Sequence, residues 1–122
     1  VDEFFAGQMS YPGGRFAQIS SSFQLPYYTR AEVIGSEGRL ELNAPFTRME
    51  EGRRMTFYPK NGEPHEIPVP EQELYQGEIE DMHAAILDVA PNYLTLAETR
   101  QHVRTALALY QSARSGQVVE LT

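Results

Sequence analysis

The sequence predicts an α+β fold, with a mostly antiparallel sheet of about six to seven strands and two C-terminal helices packed on one face. Up to about residue 70, apolar side chains recur at alternate positions, which is the period of a β-strand. Beyond that point they recur every three or four positions, which is the period of a helix. Glycines and prolines separate the alternating stretches at short intervals, which favours antiparallel hairpins.

The first two predicted strands flank the turn Pro12-Gly13-Gly14. Neither face of this hairpin is wholly polar, so we expect a sheet that is covered on both sides. After the second strand, Leu25-Pro26-Tyr27-Tyr28 interrupts the pattern, because proline cannot donate to a central ladder. The residues expected to alternate with the opposite face are Phe5, Gly7, Met9 and Tyr11 in the first strand and Ala17, Ile19, Ser21 and Phe23 in the second.

The third and fourth strands are predicted over Arg30 to Ile34 and Arg39 to Leu42. Between them, Gly35 and Gly38 flank a polar pair and are both expected to supply the positive φ angles of a tight turn. The turn should therefore depend on both glycines.

The fifth and sixth strands are predicted on either side of Asn61-Gly62, a strong hairpin signal. In the fifth strand, Phe57 lies on one face and Tyr58 on the other. The sixth contains Ile67 and Val69, and the adjacent prolines place it at an edge.

Two helices follow, and each shows an apolar stripe. Pro91 should end the first helix. Thr95 and Glu98 match a capping box for the second helix, Gly116 should end it, and Val118 to Leu121 is expected to form a last strand. The stripe residues are Ile79, Met82, Ile86 and Val89 in the first helix, and Val103, Ala106, Leu107, Tyr110 and Ala113 in the second.

Composition excludes several classes of protein. The 17 acidic and 10 basic side chains give a net charge of −7, which argues against a nucleic-acid partner. The absence of cysteine excludes disulfides and thiolate chemistry. No apolar run is long enough for a membrane span and no signal peptide is visible, so we expect no membrane partner and a cytoplasmic location. The length fits one domain over residues 1–122, and a start at Val1 indicates a fragment or a processed chain.

Taken together and in order, the motifs resemble the second half of the C-terminal domain of the glucose-fructose oxidoreductase/inositol dehydrogenase (Gfo/Idh/MocA) family. They are the glycine turn Gly13-Gly14, the serine-rich stretch Ser20 to Phe23, the hairpin Glu32 to Gly38, the helix start Tyr75 to Met82 and the end Ser112 to Leu121. Each motif is common alone, but the series spans nearly the whole chain.

The resemblance implies a parent enzyme that uses NAD or NADP to oxidise a sugar, polyol or related diol. The family's nucleotide-binding domain is missing here: no Gly-x-Gly-x-x-Gly turn is present. Lys60, the only lysine, sits in the Asn-Gly turn and cannot be the family's catalytic lysine. We therefore expect no catalytic and no cofactor-binding residue in this chain, which alone should not transfer a hydride.

Tyr27 and Tyr28 are the candidate substrate-facing residues, since the resemblance implies that an aromatic hydroxyl near this point can reach the substrate. The alternative is that these loop tyrosines pack at a sheet edge or a dimer seam. The helices can cover only one sheet face, so Phe4, Phe16 and Tyr58 should lie exposed on the other. We expect a homo-oligomer, most simply an isologous dimer, through that open face.

Other chemical groups have simpler interpretations. Glu80 and His83 have the spacing of half a di-metal motif, but the second half is absent, so no metal site is expected. Glu78 and Asp81 fit an exposed acidic helix face better than an acid–base pair. Ser20 to Ser22 lacks a nucleophile elbow. The competing functional hypothesis is a stand-alone, non-catalytic domain that binds a ligand or partner.

Overall fold

The computed structural model describes residues 2–46, 53–70, 73, 75–87 and 90–121. This part of the chain contains six strands and two helices, and every strand pairing is antiparallel. The predicted α+β class is therefore confirmed. The elements are β1 (Phe4–Tyr11), β2 (Arg15–Ser22), β3 (Arg30–Gly35), β4 (Gly38–Asn43), β5 (Met55–Pro59), β6 (His65–Ile67), α1 (Gln76–Ile86) and α2 (Leu96–Ser115).

The strands form two sheets, not the one that was predicted. β1 pairs with β2, and the other four form a meander in the order β3-β4-β5-β6. The interruption at Pro26 separates the two sheets, because β2 and β3 do not pair in the described chain. The expected strand over residues 118–121 does not form either, since those residues have no backbone hydrogen-bond partner among the described ones.

The chain divides into two compact units, Val1–Gln24 with Glu78–Thr122 and Leu25–Gly77. The prediction of one domain over residues 1–122 stays a prediction. None of the described helices is both long enough and apolar enough to cross a membrane.

In the first unit, α2 packs on one face of the β1–β2 hairpin. Gly7 faces Leu109 of α2, and the rings of Phe5 and Tyr110 lie 5.2 Å apart. A hydrogen bond to the carboxylate of Asp2 raises the pKa of Tyr110 above its usual value. The helix therefore covers the face that carries Phe5 and Gly7. The predicted turn is confirmed, with φ of 78° at Gly13 and 73° at Gly14.

The ends of α2 agree with the sequence. The Thr95 hydroxyl accepts from the Glu98 backbone N–H at 3.2 Å, and the Glu98 carboxylate accepts from the Thr95 N–H at 2.9 Å. These bonds lower the pKa of Glu98 below its usual value of 4.5, the bond from the Thr95 backbone being the largest cause. At the other end, Gly116 adopts a φ of 67° and donates to the carbonyl of Ser112 at 2.8 Å.

The apolar stripes predicted for the two helices lie exposed, and other positions of the helices are half-buried. Along α2 the half-buried positions include Thr105, Ala108, Leu109 and Ser112, while Val103 and Leu107 are exposed. The exposed stripe in α1 consists of Ile79, Met82 and Ile86; the predicted Val89 lies outside the described residues. The periodicity finds apolar stripes but cannot tell which one faces the sheet, because several occur on the same helix.

In the second unit, the meander gives the four-stranded sheet an apolar face and a polar face. β6 lies at the edge beside β5, as its prolines predict. Leu40 pairs with Phe57 on the apolar side, and Arg39 pairs with Tyr58 on the polar side. Ala44, which follows β4, is the only fully buried apolar residue among those described, with 1% of its surface exposed.

The two glycines of the β3–β4 turn differ, and the prediction for Gly35 is wrong. Gly38 has a φ of 152°, and a Cβ there would lie 2.9 Å from the Cα of Pro59. At Gly35 φ is not in the positive range and a Cβ would meet nothing within 4 Å. Only Gly38 must be a glycine, because the backbone of β5 passes directly beside it and leaves no room for a side chain.

Candidate functional site

The candidate site lies where the Tyr27-Tyr28 segment enters β3, on the polar face of the four-stranded sheet. The hydrogen bonding between β3 and β4 continues one residue before β3, since the backbone N–H of Ala44 donates to the carbonyl of Thr29 at 3.1 Å. Because side chains alternate along an extended chain, Tyr28 and Arg30 belong to the same side. The side chains that the register places on the polar face are Arg30, Glu32, Ile34, Arg39, Glu41, Asn43, Thr56, Tyr58 and Glu66.

Four of these residues form a closed ring of ion pairs, here called the Arg–Glu square: Arg30, Glu32, Arg39 and Glu41. Arg30 Nη2 lies 2.8 Å from Glu41 and 3.6 Å from Glu32. Arg39 Nη1 lies 2.9 Å from each of the two carboxylates. Glu32 and Glu41 are direct cross-strand partners, a placement that is unfavourable for like charges. The two guanidinium groups offset that repulsion and leave the square with no net charge.

Each arginine of the square also contacts one tyrosine. The Arg39 guanidinium lies 4.0 Å from the centre of the Tyr58 ring, a cation–π contact. A hydrogen bond to the Tyr28 side chain is the largest of the causes that raise the pKa of Arg30 above its usual value. The pKa of Arg39 is raised as well, chiefly by its bond to Glu32. Both arginines therefore stay charged at any physiological pH.

The two sequence-predicted site residues have different surroundings. Tyr28 is 74% exposed, and its side chain is the first of the groups that raise the pKa of Arg30. Tyr27 is 67% exposed and makes no hydrogen bond within the described part of the chain. Next to them, the Thr29 hydroxyl is buried without a hydrogen-bond partner among the described residues. The segment thus combines two exposed aromatic rings with one buried hydroxyl that has no partner among the described residues.

A shallow depression of about 370 Å³ opens on the same sheet. It offers carboxylate, amide and hydroxyl groups, which suit hydrogen bonds to a small polar molecule. Its lining residues are Glu41, Asn43, Arg54, Thr56, Tyr58, Pro64, His65 and Glu66.

The remaining chemical candidates are accounted for by local structure. Asp81 accepts from the backbone N–H of Tyr93 at 2.8 Å and so ties α1 to the loop that follows it. His65 makes an edge-on contact with Phe57, with ring centres 5.6 Å apart. No group of three or more possible metal ligands occurs in the described part of the chain, and that includes the surroundings of Glu80 and His83.

Sequence reasoning did not find the Arg–Glu square. The signal is present as two Arg-x-Glu triplets, Arg30-Ala-Glu32 and Arg39-Leu-Glu41, one in each strand of a predicted hairpin. Alternation puts both members of each triplet on one face. The antiparallel register then brings the triplets together.

Comparison with known proteins places this chain in a family. Residues 1–121 match the family described as the C-terminal α/β domain of the oxidoreductase family, Gfo/Idh/MocA. The chain belongs to that family, which confirms the resemblance seen in its motifs.

Two relatives show how much of a protein this chain resembles. It is 28% identical to D-xylose 1-dehydrogenase (NADP⁺) 2 of Haloferax volcanii over 121 residues, which is 99% of this chain and 37% of that protein. Its fold is similar to that of an aldose-aldose oxidoreductase from Caulobacter crescentus, solved with glycerol. The TM-score is 0.78 and the identity 22%, over 93% of this chain and 33% of that one. The chain therefore spans about a third of the length of these relatives.

Proposed function

We propose that this chain is the C-terminal part of an NADP-dependent oxidoreductase that acts on an aldose or a related polyol. The observation that carries the proposal is the match over nearly the whole chain to a protein named as an NADP⁺-dependent D-xylose dehydrogenase. Family membership over residues 1–121 supports the oxidoreductase class independently.

The described residues do not fit a dinucleotide site of their own. Such a site needs a glycine-rich turn between a strand and a helix, with the helix N-terminus free to bind the pyrophosphate. The N-terminus of α2 already holds a carboxylate, because Glu98 accepts from Thr95 there. The cofactor would therefore be held by the rest of the parent protein, and no step of hydride transfer is assigned to this chain.

The contribution of this part to substrate binding would come from the Tyr27-Tyr28 segment. Both rings are exposed and stand beside polar groups, an arrangement suited to a sugar, which has apolar C–H faces and many hydroxyls. The alternative, that these tyrosines pack at an edge or a dimer seam, predicts that their hydroxyls have no effect on the affinity for sugar.

Oligomerisation would use the open face of the β1–β2 hairpin, which lies opposite the face that α2 covers. Phe4 and Phe16 are exposed on this open face. Between these two rings, the side-chain amide of Gln18 donates to the side-chain oxygen of Gln8 at 3.1 Å. An exposed aromatic face of this kind favours a self-complementary dimer. Tyr58, expected to be exposed in the same patch, is instead half-buried beneath Arg39.

The exposed helix stripes support a larger parent protein. Ile79 and Ile86 of α1 and Val103 and Leu107 of α2 present apolar surface to solvent. Exposed apolar stripes of this kind are typical of surfaces that another part of a protein covers. The remaining two thirds of the parent would supply that cover.

A binding experiment tests whether the cofactor is held by the rest of the parent protein and not by this chain. Isothermal calorimetry would measure the affinity for NADP⁺ of the 122-residue chain and of the full protein that contains it. We expect micromolar affinity for the full protein and none for the chain. Micromolar binding by the chain alone would contradict the proposal.

A second function, a stand-alone domain that binds a small polar ligand, is favoured by one observation, the polar depression on the four-stranded sheet. It requires the reading frame that encodes Val1 to contain no nucleotide-binding domain upstream. Sequencing that frame therefore separates the two functions: a strand, a Gly-x-Gly-x-x-Gly turn and a Lys-Pro segment are expected under the first and absent under the second.

A further inference from the structure

β3 is an edge strand of the four-stranded sheet, and no strand of the described chain pairs with its outer side. The sheet order is β3-β4-β5-β6, so β4 is the only neighbour of β3 among the described strands. An open edge presents N–H and C=O groups to which another strand can bond. At the opposite edge, Pro64 and Pro68 flank β6 and hinder such pairing, whereas β3 contains no proline.

The register of β3 with β4 determines which backbone groups point outward. Ala44 donates to the carbonyl of Thr29 at 3.1 Å, and these two residues continue the β3–β4 register. Hydrogen-bonded and non-hydrogen-bonded pairs alternate along an antiparallel ladder. The N–H and C=O groups of Arg30, Glu32 and Ile34 therefore point away from β4. Within the described chain they form no backbone hydrogen bond on that outer side.

The side chains of β3 are exposed on both faces of the sheet. Val33 is 63% exposed, and Ile34, on the opposite face, is 75% exposed. Of the six residues of β3, only Ala31 is half-buried. An unpaired edge strand with exposed β-branched side chains is a template for another strand. β3 therefore has both the backbone and the side chains of a strand that pairs with a partner.

The sequence of β3 is complementary to itself when two copies run antiparallel. A two-fold axis through Ala31 sets Arg30 opposite Glu32 of the second copy, and Glu32 opposite Arg30. An axis through Arg30 or Glu32 would set like charges directly opposite each other, which is unfavourable. An axis through Val33 or Ile34 would set Arg30 beyond the end of the second β3. Only the axis through Ala31 pairs opposite charges along the edge.

We propose that β3 pairs with β3 of a second copy about a two-fold axis through Ala31, which joins the two four-stranded sheets into one continuous sheet. Arg30 and Glu32 of each copy would exchange backbone hydrogen bonds with Glu32 and Arg30 of the other. The same register sets Ile34 opposite Tyr28 of the second copy, and these side chains are 75% and 74% exposed in the single chain. An aromatic ring beside a β-branched side chain is a favourable cross-strand pair.

This surface goes beyond the proposed function and uses other residues than the open face of the β1–β2 hairpin. It places Tyr28 at a dimer seam, which is one of the two interpretations of that tyrosine, and leaves Tyr27 for contact with a sugar. Because the pairing does not depend on the reaction, its tests need no activity. If the full protein oxidises no aldose but pairs through β3, the proposed function fails and this interface stands.

A single cysteine tests the two-fold axis. The 122 residues contain no cysteine, so Ala31→Cys introduces the only thiol into this part of the protein. The Cα atoms of a non-hydrogen-bonded antiparallel pair lie about 4.5 Å apart, which a disulfide can span. Val33→Cys is the matched control. Val33 lies on the same face of β3 and is more exposed, but it would be about 13 Å along the strand from its counterpart.

Mild oxidation of the full protein should link Ala31→Cys into a covalent dimer, in about tenfold higher yield than Val33→Cys. Non-reducing electrophoresis measures both yields, and the unsubstituted full protein gives the background from cysteines outside this chain. Equal yields from the two variants, or no covalent dimer from Ala31→Cys, would overturn the proposal.

Hydrogen exchange identifies what occupies the edge. In the full protein, separated by size into monomer and dimer, backbone amides of residues 30–35 should exchange more slowly in the dimer than in the monomer. Residues 38–43 form β4, which is paired on both sides, and should exchange equally in both species. Protection of residues 30–35 in the monomer would mean that another strand of the parent protein covers the edge. That result, or equal exchange of residues 30–35 in both species, would overturn the proposal.

Discussion

Leu109 of α2 lies directly over Gly7 of β1, and this contact sets how closely the helix approaches the hairpin. A Cβ at Gly7 would be 3.1 Å from Leu109 Cδ2 and 3.4 Å from Phe5 Cε1. The φ of Gly7 does not lie in the positive range, so glycine is needed there for lack of space and not for its backbone conformation.

We predict that Gly7→Val destabilises the protein by about 1–3 kcal/mol, since the added carbons must displace α2 or the Phe5 ring. Gly77→Ala is the matched control: a Cβ there would meet nothing within 4 Å, and alanine favours the helix. Urea unfolding measures both variants. A Gly7→Val protein as stable as the parent would show that α2 does not pack at this distance.

The β3–β4 turn gives a second stability prediction. Gly38→Ala should cost about 1–3 kcal/mol, because the methyl group would meet the β5 backbone at Tyr58 and Pro59. Gly35→Ala should change the free energy of unfolding by less than about 0.5 kcal/mol, as an unhindered substitution does. Thermal unfolding of the two variants decides the point, and equal losses for both would contradict the assignment.

These two glycines also show what the sequence can and cannot predict. Turns and helix caps depend on neighbouring residues, so Gly13, Gly116 and the Thr95–Glu98 box were predictable. The division into two sheets, the stripe of α2 that meets the hairpin and the need for Gly38 over Gly35 depend on which distant strand passes nearby. Pattern and propensity do not contain that information.

The same limit applies to the site. The sequence marked Tyr27 and Tyr28 as a pair through family resemblance, and it could not rank them. The Arg–Glu square beside them forms only because the β3–β4 register brings Arg30 to Glu41 of the neighbouring strand. That register is known only once the two strands are paired.

The helix cap makes a prediction about pH. Because the folded-state pKa of Glu98 is lowered, its stabilisation is present above the unfolded value near 4.5 and is lost as the pH falls through the folded value. Glu98→Gln should therefore lower Tm at pH 7 and have a smaller effect in acid. Thr95→Ala, which removes the cap, should cost about 1 kcal/mol at pH 7. A Tm difference between Glu98→Gln and the parent that is constant with pH would exclude a charged cap.

The proposed oligomer surface predicts an effect of a single charge. Phe16→Glu on the open face of the β1–β2 hairpin should shift the full protein to smaller species, because a buried charge in a two-fold interface is repeated on both sides. Tyr93→Glu, also on an exposed aromatic, should leave the assembly unchanged. Multi-angle light scattering gives the masses. A parent protein that is already monomeric at micromolar concentration would rule out the interface.

We propose that this chain is the C-terminal part of an NADP-dependent aldose oxidoreductase. The most direct measurement is the rate of NADP⁺ reduction by the full protein with D-xylose and a panel of aldoses and polyols, followed by the absorbance of the reduced nicotinamide. We expect turnover that saturates with at least one of these substrates, and none from the 122-residue chain alone. No reduction of NADP⁺ or NAD⁺ with any member of the panel, by a full protein shown to bind the cofactor, would contradict it.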